Sequence, residues 1–235
     1  MGNDKGDKKM LKGIIGITAL LLIMLTGCAL PMKPGLTSST EKLDLGDDGL
    51  LLLTAELSND FQPSYQPEAK LLLVEAPEPK GVKDRYEFFA DEEGTVLSKN
   101  MNKYIFRARL KSGNYVVRVI RGSSGVFPIR GRFLVPLHFD IEVKKGEVVS
   151  LGKIVARTRK RKEDELRAGP IFPLIDQSVT GFSEATFDVT PLTSQNEDMN
   201  TMKTLFPVLR TAQIVEKTLS PFNRDVAQRW WDRQP

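Results

Sequence analysis

Few side chains in this 235-residue chain can make or break a covalent bond. It holds one cysteine, Cys28, and one histidine, His138. A single thiol forbids an internal disulfide, and one cysteine with one histidine cannot furnish a cysteine–histidine zinc site. His138 lies two residues from Asp140, on the solvent side of an alternating strand. A Ser-His-Asp arrangement also needs a nucleophile within hydrogen-bond reach. Nothing near by resembles a nucleophile elbow, so His138 reads as an exposed strand histidine. Acids are scattered or grouped in solvent-facing clusters such as Asp91-Glu92-Glu93, with no pair placed for acid–base work on glycans. No catalytic residue, metal or cofactor is expected.

Two features suit binding instead. Arg157, Arg159, Lys160, Arg161 and Lys162 form a basic run that Glu163, Asp164 and Glu165 follow. It reads either as a patch for a phosphate-rich partner, such as a lipid headgroup or a lipopolysaccharide core, or as a solvated strand end whose charges cancel against those acids. No aromatics interleave it, which argues against single-stranded nucleic acid. The segment Gly122–Gly125 lacks the helix and the Lys-Ser/Thr ending of a phosphate loop. Near the end of the chain, the adjacent Trp230 and Trp231 suit a partner-binding interface.

The stretch that positions Cys28 has a recognisable order. Lys5, Lys8, Lys9 and Lys12 make the start net basic, and residues 13–25 are apolar apart from Gly13, Gly16 and Thr18. A basic region, an apolar run and a small-residue cleavage site describe a secretory signal, with cleavage between Gly27 and Cys28. The alternative is an uncleaved membrane helix over residues 13–30, at the short limit for a span and stopped by Pro31 and Pro34. The ending Leu25-Thr26-Gly27-Cys28 resembles the lipobox of bacterial lipoproteins. That resemblance implies a diacylglyceryl group on the Cys28 sulfur, cleavage just before Cys28 and further acylation of the new amino group. Two or three chains anchor a protein stably, whereas one alone binds reversibly. Ala29 is not the aspartate that, in such lipoproteins, is associated with inner-membrane retention. The resemblance therefore implies the outer membrane facing the periplasm, or the outer cell surface in a bacterium with one membrane.

Without residues 1–27 the chain keeps 30 basic and 28 acidic residues, a net charge of +2. The basic character is partly a property of the leader and is no argument for nucleic acid. Residues 28–48 are rich in Pro, Gly, Ser and Thr and read as an acylated N-terminus with a flexible tether; Leu43 and Leu45 offer a short edge strand as the alternative.

Residues 49–191 read as a β-sandwich. The apolar runs 50–57 and 70–74 fit strands buried on both faces. Residues 103–110 and 114–121 alternate on either side of Lys111-Ser112-Gly113-Asn114 and read as a hairpin, with Tyr115, Val117 and Val119 on one face. Residues 122–125 read as a loop, and 127–135 as a loop or edge strand broken by Pro128 and Gly131. Residues 137–143 alternate, 148–156 form a strand in which Gly152 marks a bulge, and 182–189 form the last strand. The stretches Phe106–Val119 and Phe139–Gly152 resemble transthyretin-like modules of carboxypeptidase regulatory domains. This implies an immunoglobulin- or transthyretin-like antiparallel sandwich and no ligand. Residues 171–189 also resemble a stretch of uncharacterised bacterial lipoproteins.

Residues 192–235 read as a helical extension. Ser194 with Glu197 is a capping box, Pro207 interrupts, and apolar residues recur at helical spacing to Leu219. Ser220-Pro221 starts a second helix that carries both tryptophans. Taken together, the sequence points to a lipid-anchored, non-catalytic envelope module that binds another envelope protein or a surface polymer. An envelope hydrolase or carbohydrate-active enzyme is the alternative, and a lipid or lipopolysaccharide carrier a third.

Overall fold

The computed structural model describes residues 30–125, 127–171 and 175–233. The leader, Gly27 and Cys28 lie outside the described residues. Among these the chain is mainly β, with two sheets packed face to face and short helices toward the C-terminus.

The first sheet is built from β1 (Leu30–Met32), β3 (Glu68–Glu75), β4 (Arg85–Phe89), β7 (Gly113–Ser124) and β8 (Gly131–Val143), in the order β1-β4-β3-β7-β8. The second contains β2 (Asp48–Ser58), β5 (Thr95–Val96), β6 (Asn102–Lys111), β9 (Val148–Lys160) and β10 (Ala185–Leu192), in the order β10-β9-β2-β6-β5. β11 (Ile214–Glu216) pairs with the start of β9. Leu72, Phe88, Phe133 and Phe139 of the first sheet meet Leu51, Leu53, Phe106 and Phe187 of the second in one core. The apolar run of β2 is buried on both faces, as its composition predicts. Leu51, Leu53 and Leu57 enter this core, and Leu50 and Leu52 enter a second one outside.

The sandwich is mixed rather than antiparallel, because β1–β4, β2–β9 and β11–β9 pair in parallel. Alternation reports which face a residue takes, not the direction of its neighbour. The same limit undoes the expected hairpin. β6 pairs with β2 in one sheet and β7 with β3 and β8 in the other, so residues 111–113 cross between sheets. Residues 122–124 are not a loop but the end of β7, opposite Arg132 and Phe133. Gly122 is there because a Cβ would lie 2.1 Å from the Glu68 carbonyl oxygen and 2.5 Å from the Phe133 ring. β8 is an edge strand, as Gly131 at its start and Pro128 just before it suggest. The bulge at Gly152 is present. Leu52 faces Ser150 while Thr54 faces Lys153, and Gly152 has φ +78°.

The segment read as a tether is packed in its described part. Leu36 and Leu45 are 2% and 5% exposed and share the outer core of the second sheet with Leu50, Leu52, Met202 and Phe206. Gly35 N–H donates to the Arg107 carbonyl at 2.7 Å, and Arg107 Nε returns a bond to the Leu36 carbonyl at 2.9 Å. Two buried leucines at about 1.5–3 kcal/mol each outweigh a linker-like composition.

Three helices follow β9: α1 (Ile175–Val179), α2 (Asn196–Leu205) and α3 (Arg224–Trp231). The capping box does not form. Gln195 is the N-cap of α2, without a side-chain cap bond, and Ser194 Oγ bonds Ser150 Oγ at 2.5 Å. α2 stops before Pro207, as that residue requires. Val215 lies in β11 rather than in a helix. The last helix starts at Arg224, with Asn223 accepting from Val226 N–H at 3.1 Å, rather than at Ser220-Pro221.

α2 is pinned by buried charge. Asp198 reaches Lys103 Nζ at 3.1 Å and Lys153 Nζ at 3.2 Å, and Glu56 reaches both ammonium groups at 3.2 Å. Burial disfavours the charge on Lys103, and Asp198 and Glu56 outweigh it, so its pKa is raised. Two cations and two anions cancel.

Candidate functional site

The outer face of the first sheet differs. Under strict alternation Arg118 and Arg121 would point to opposite faces, because they are three residues apart. The strands do not keep that alternation. Between Leu73–Val74 of β3 and Val119–Val117 of β7 the register shifts by one, and β8 adds one more residue between Pro136 and Phe139. These bulges put Val117 in the central core, turn Val119 onto the outer face beside Leu73, and bring Arg118, Arg121 and His138 together. His138 takes φ +56°, a left-handed conformation that His adopts more readily than bulky residues.

α3 crosses this face. Its first residue, Arg224, is tied to β10 through Asp188 Oδ1 at 2.6 Å and the Phe187 carbonyl at 3.0 Å. Further along, Trp230 packs with Leu73 and Val119 and meets the His138 ring edge-on, centroids 5.2 Å apart. Between α3, β3 and β7 lies a cleft of about 450 Å³. Its charged wall is Arg85, Arg118, Arg121 and Arg233 against Glu75 alone. Arg118 Nε bonds Glu75 Oε2 at 2.8 Å, and Arg85 Nε stands 3.3 Å from Glu75 Oε1.

His138 adds no charge near neutrality. Burial first, then Arg118 and Arg233, push its pKa down to about 4. Arg118 Nη1 lies 2.9 Å from His138 Nδ1, and a guanidinium can only donate, so Nδ1 accepts and Nε2 carries the proton. That Nε2, together with Nε of Arg121 and of Arg85, is buried without a hydrogen-bond partner among the described residues. The cleft is therefore rich in donors and poor in acceptors, with a net charge of +3.

The expected sites fare unevenly. Cys28 and Gly27 lie outside the described residues. Trp230 lines the cleft; Trp231 is half-buried and is not part of its wall. The basic run is largely spoken for. Arg159 holds Glu165 through both guanidinium ends and Asp188 at 2.9 Å, Arg157 stands 3.6 Å from Asp60, and Arg161 donates to the Glu163 and Glu165 carbonyls. Lys160 and Lys162 are exposed. The Arg159 guanidinium drives the Glu165 carboxyl down to about 2. Three of the five cations are thus engaged by the chain, and Lys160 and Lys162 remain in solvent. His138 is not exposed as expected, because α3 covers it, while Asp140 remains in solvent.

Sequence reasoning missed Arg85, Arg118, Arg121 and Arg233. The one available signal was three arginines, at 118, 121 and 233, near the residues already singled out, His138 and Trp230. Compared with known proteins, the chain matches no family model, no curated protein and no solved structure.

Proposed function

We propose that this chain is a lipid-anchored, non-catalytic binding module of a bacterial cell envelope, held by acyl chains on Cys28 and offering the arginine cleft to an anionic partner. The observation that carries it is the order of the leader: lysines, an apolar run, then the only thiol of the chain directly after Leu25-Thr26-Gly27. Two or three acyl chains there give permanent attachment. With Ala29 after the cysteine, the reading assigns the periplasmic side of an outer membrane, or the outer surface of a one-membrane cell.

The cleft supports binding over bond-making. Its single carboxylate, Glu75, is committed to Arg118 and Arg85 and has no second acid beside it in that wall. Four guanidinium groups suit no acyl chain, which weighs against a carrier. The likeness of residues 106–119 and 139–152 to transthyretin-like modules goes with a binding role and names no ligand. Another envelope protein or a surface polymer with negative charge fits this wall.

Intact mass spectrometry of the protein from its native host tests the anchor. The expected mass is that of residues 28–235 plus acyl groups. A free sulfhydryl with a retained leader would overturn the reading.

A further inference from the structure

The strand register at the start of the described chain ties the anchor to the cleft. Leu30 pairs with Tyr86, so Arg85 is the next residue along β4, and its Cα lies about 6 Å from that of Leu30 by ordinary strand spacing. Cys28 is two residues before Leu30. Two Cα–Cα steps span at most about 7 Å. Leu30, where the described chain begins, therefore lies beside Arg85 of the cleft wall, and Cys28 is only two residues before it in the sequence. The packed residues 30–48 allow no long leash, which a free tether would have given.

We propose that this cleft binds a phosphate-bearing anion, the phosphodiester headgroup of the lipid around the anchor, and so holds the sandwich flush on the membrane. The proposal rests on the lipid-anchor reading and adds the ligand class. Arginine forks match phosphate oxygens in pairs. The cleft has what such an anion needs: a net charge of +3 and three buried N–H groups that form no hydrogen bond among the described residues, Arg85 Nε, Arg121 Nε and His138 Nε2. A headgroup also fits the distance. The Debye length is about 8 Å at physiological salt, so a surface charge this close to the anchor is only partly screened. The basic run at 157–162 is no rival, because acids of the same chain already hold Arg157 and Arg159.

The test uses the acylated protein purified from its host in a neutral detergent, its mass recorded first. Tryptophan emission, from Trp230 on the cleft wall and its neighbour Trp231, is followed while monomeric dihexanoyl phosphatidylglycerol is added, and separately inorganic phosphate. Saturable binding of the lipid is expected. Arg121→Gln with Arg233→Gln should weaken it about tenfold or more. Among the described residues neither pairs with a carboxylate, so the melt should stay unchanged. Lys160→Gln with Lys162→Gln should leave the affinity as it is. Phosphate binding as tightly as the lipid would overturn the lipid source. No saturable binding by acylated protein, or wild-type affinity in the cleft variant, would overturn the site while the anchor stands. Binding by a preparation without acyl groups would keep the phosphate site and overturn its membrane source, because the anchor itself would have failed.

Discussion

The two outer faces of the sandwich are both covered by the C-terminal extension, yet their charges are arranged in opposite ways. On the second sheet, α2 and the segment after β1 seal an apolar core, and Lys103, Lys153, Glu56 and Asp198 cancel one another. Buried Arg107 of that sheet likewise has Asp91 and the Leu36 carbonyl. On the first sheet, α3 borders a cleft lined by four arginines and one glutamate, and that glutamate pairs with Arg85 and Arg118 alone. A face whose charges are all answered from within the chain serves the fold. A face with donors left over is the one where the proposed anion would find hydrogen-bonding capacity not used by the described residues.

The largest effect expected from this contrast is on the balanced face. Asp198→Ala leaves two ammonium groups around Glu56 and detaches α2, which should cost about 3–5 kcal/mol of unfolding free energy. Denaturant melts measure it, and a loss below about 1 kcal/mol would show that the quartet does not hold the face together. Next comes Trp230→Ala, which strips α3 of its main contact with Leu73 and Val119. For a half-buried indole a loss of about 2 kcal/mol is expected. A melt within about 0.5 kcal/mol of wild type would mean that α3 is held by Arg224 and Ala227 without it.

Most of the β framework can be read from the sequence, because it depends on period and composition. β2 announces its two buried faces by an unbroken apolar run, and the edge position of β8 is signalled by Gly131 at its start and Pro128 just before it. The sequence also marks Gly152 as a bulge and Pro207 as the end of a helix. What could not be read depends on partners distant in sequence. Residues 103–121 alternate equally well as a hairpin or as a crossing between sheets. The leucines at 36 and 45 look like linker residues until Phe206 and Met202 arrive from far along the chain to cover them. The cleft is hidden for a sharper reason. Arg118 and Arg121 share a face only through bulges that no alternation predicts, and Arg233 joins them only because Arg224 pins α3 across that face.

A smaller effect separates the faces by pH. With a folded pKa of about 4 against an ordinary 6.5, the His138 imidazole stays neutral in the fold while the unfolded chain takes up a proton. The groups facing it are Arg118 from β7, Arg233 beyond α3, and Trp230, with Glu75 engaged by Arg118. Between pH 6.5 and 4 the unfolded state binds more protons, so stability falls as pH falls across that window. His138→Asn, whose side chain tolerates the left-handed conformation, should flatten the fall between pH 6.5 and 4.5. Below that, protonation of Glu165, held down to about 2 by Arg159, removes stability in both proteins. Parallel pH profiles for the two would mean that His138 is not shielded from protonation in the fold.

The smallest effect is the sharpest test of the contrast. Arg121 is half-buried, and its Nε has no hydrogen-bond partner. Removing a cation from the balanced quartet should cost stability, because a carboxylate is left unanswered. Arg121→Gln removes one from the cleft, where Arg85, Arg118 and Arg233 remain around Glu75 and repel it. Without a bound anion, the variant should melt within about 0.5 kcal/mol of wild type or slightly above it. Lys153→Gln, on the other face, should lose several times that amount. Equal losses for the two substitutions would mean that Arg121 is held by the chain itself and that the surplus of charge is not reserved for a ligand.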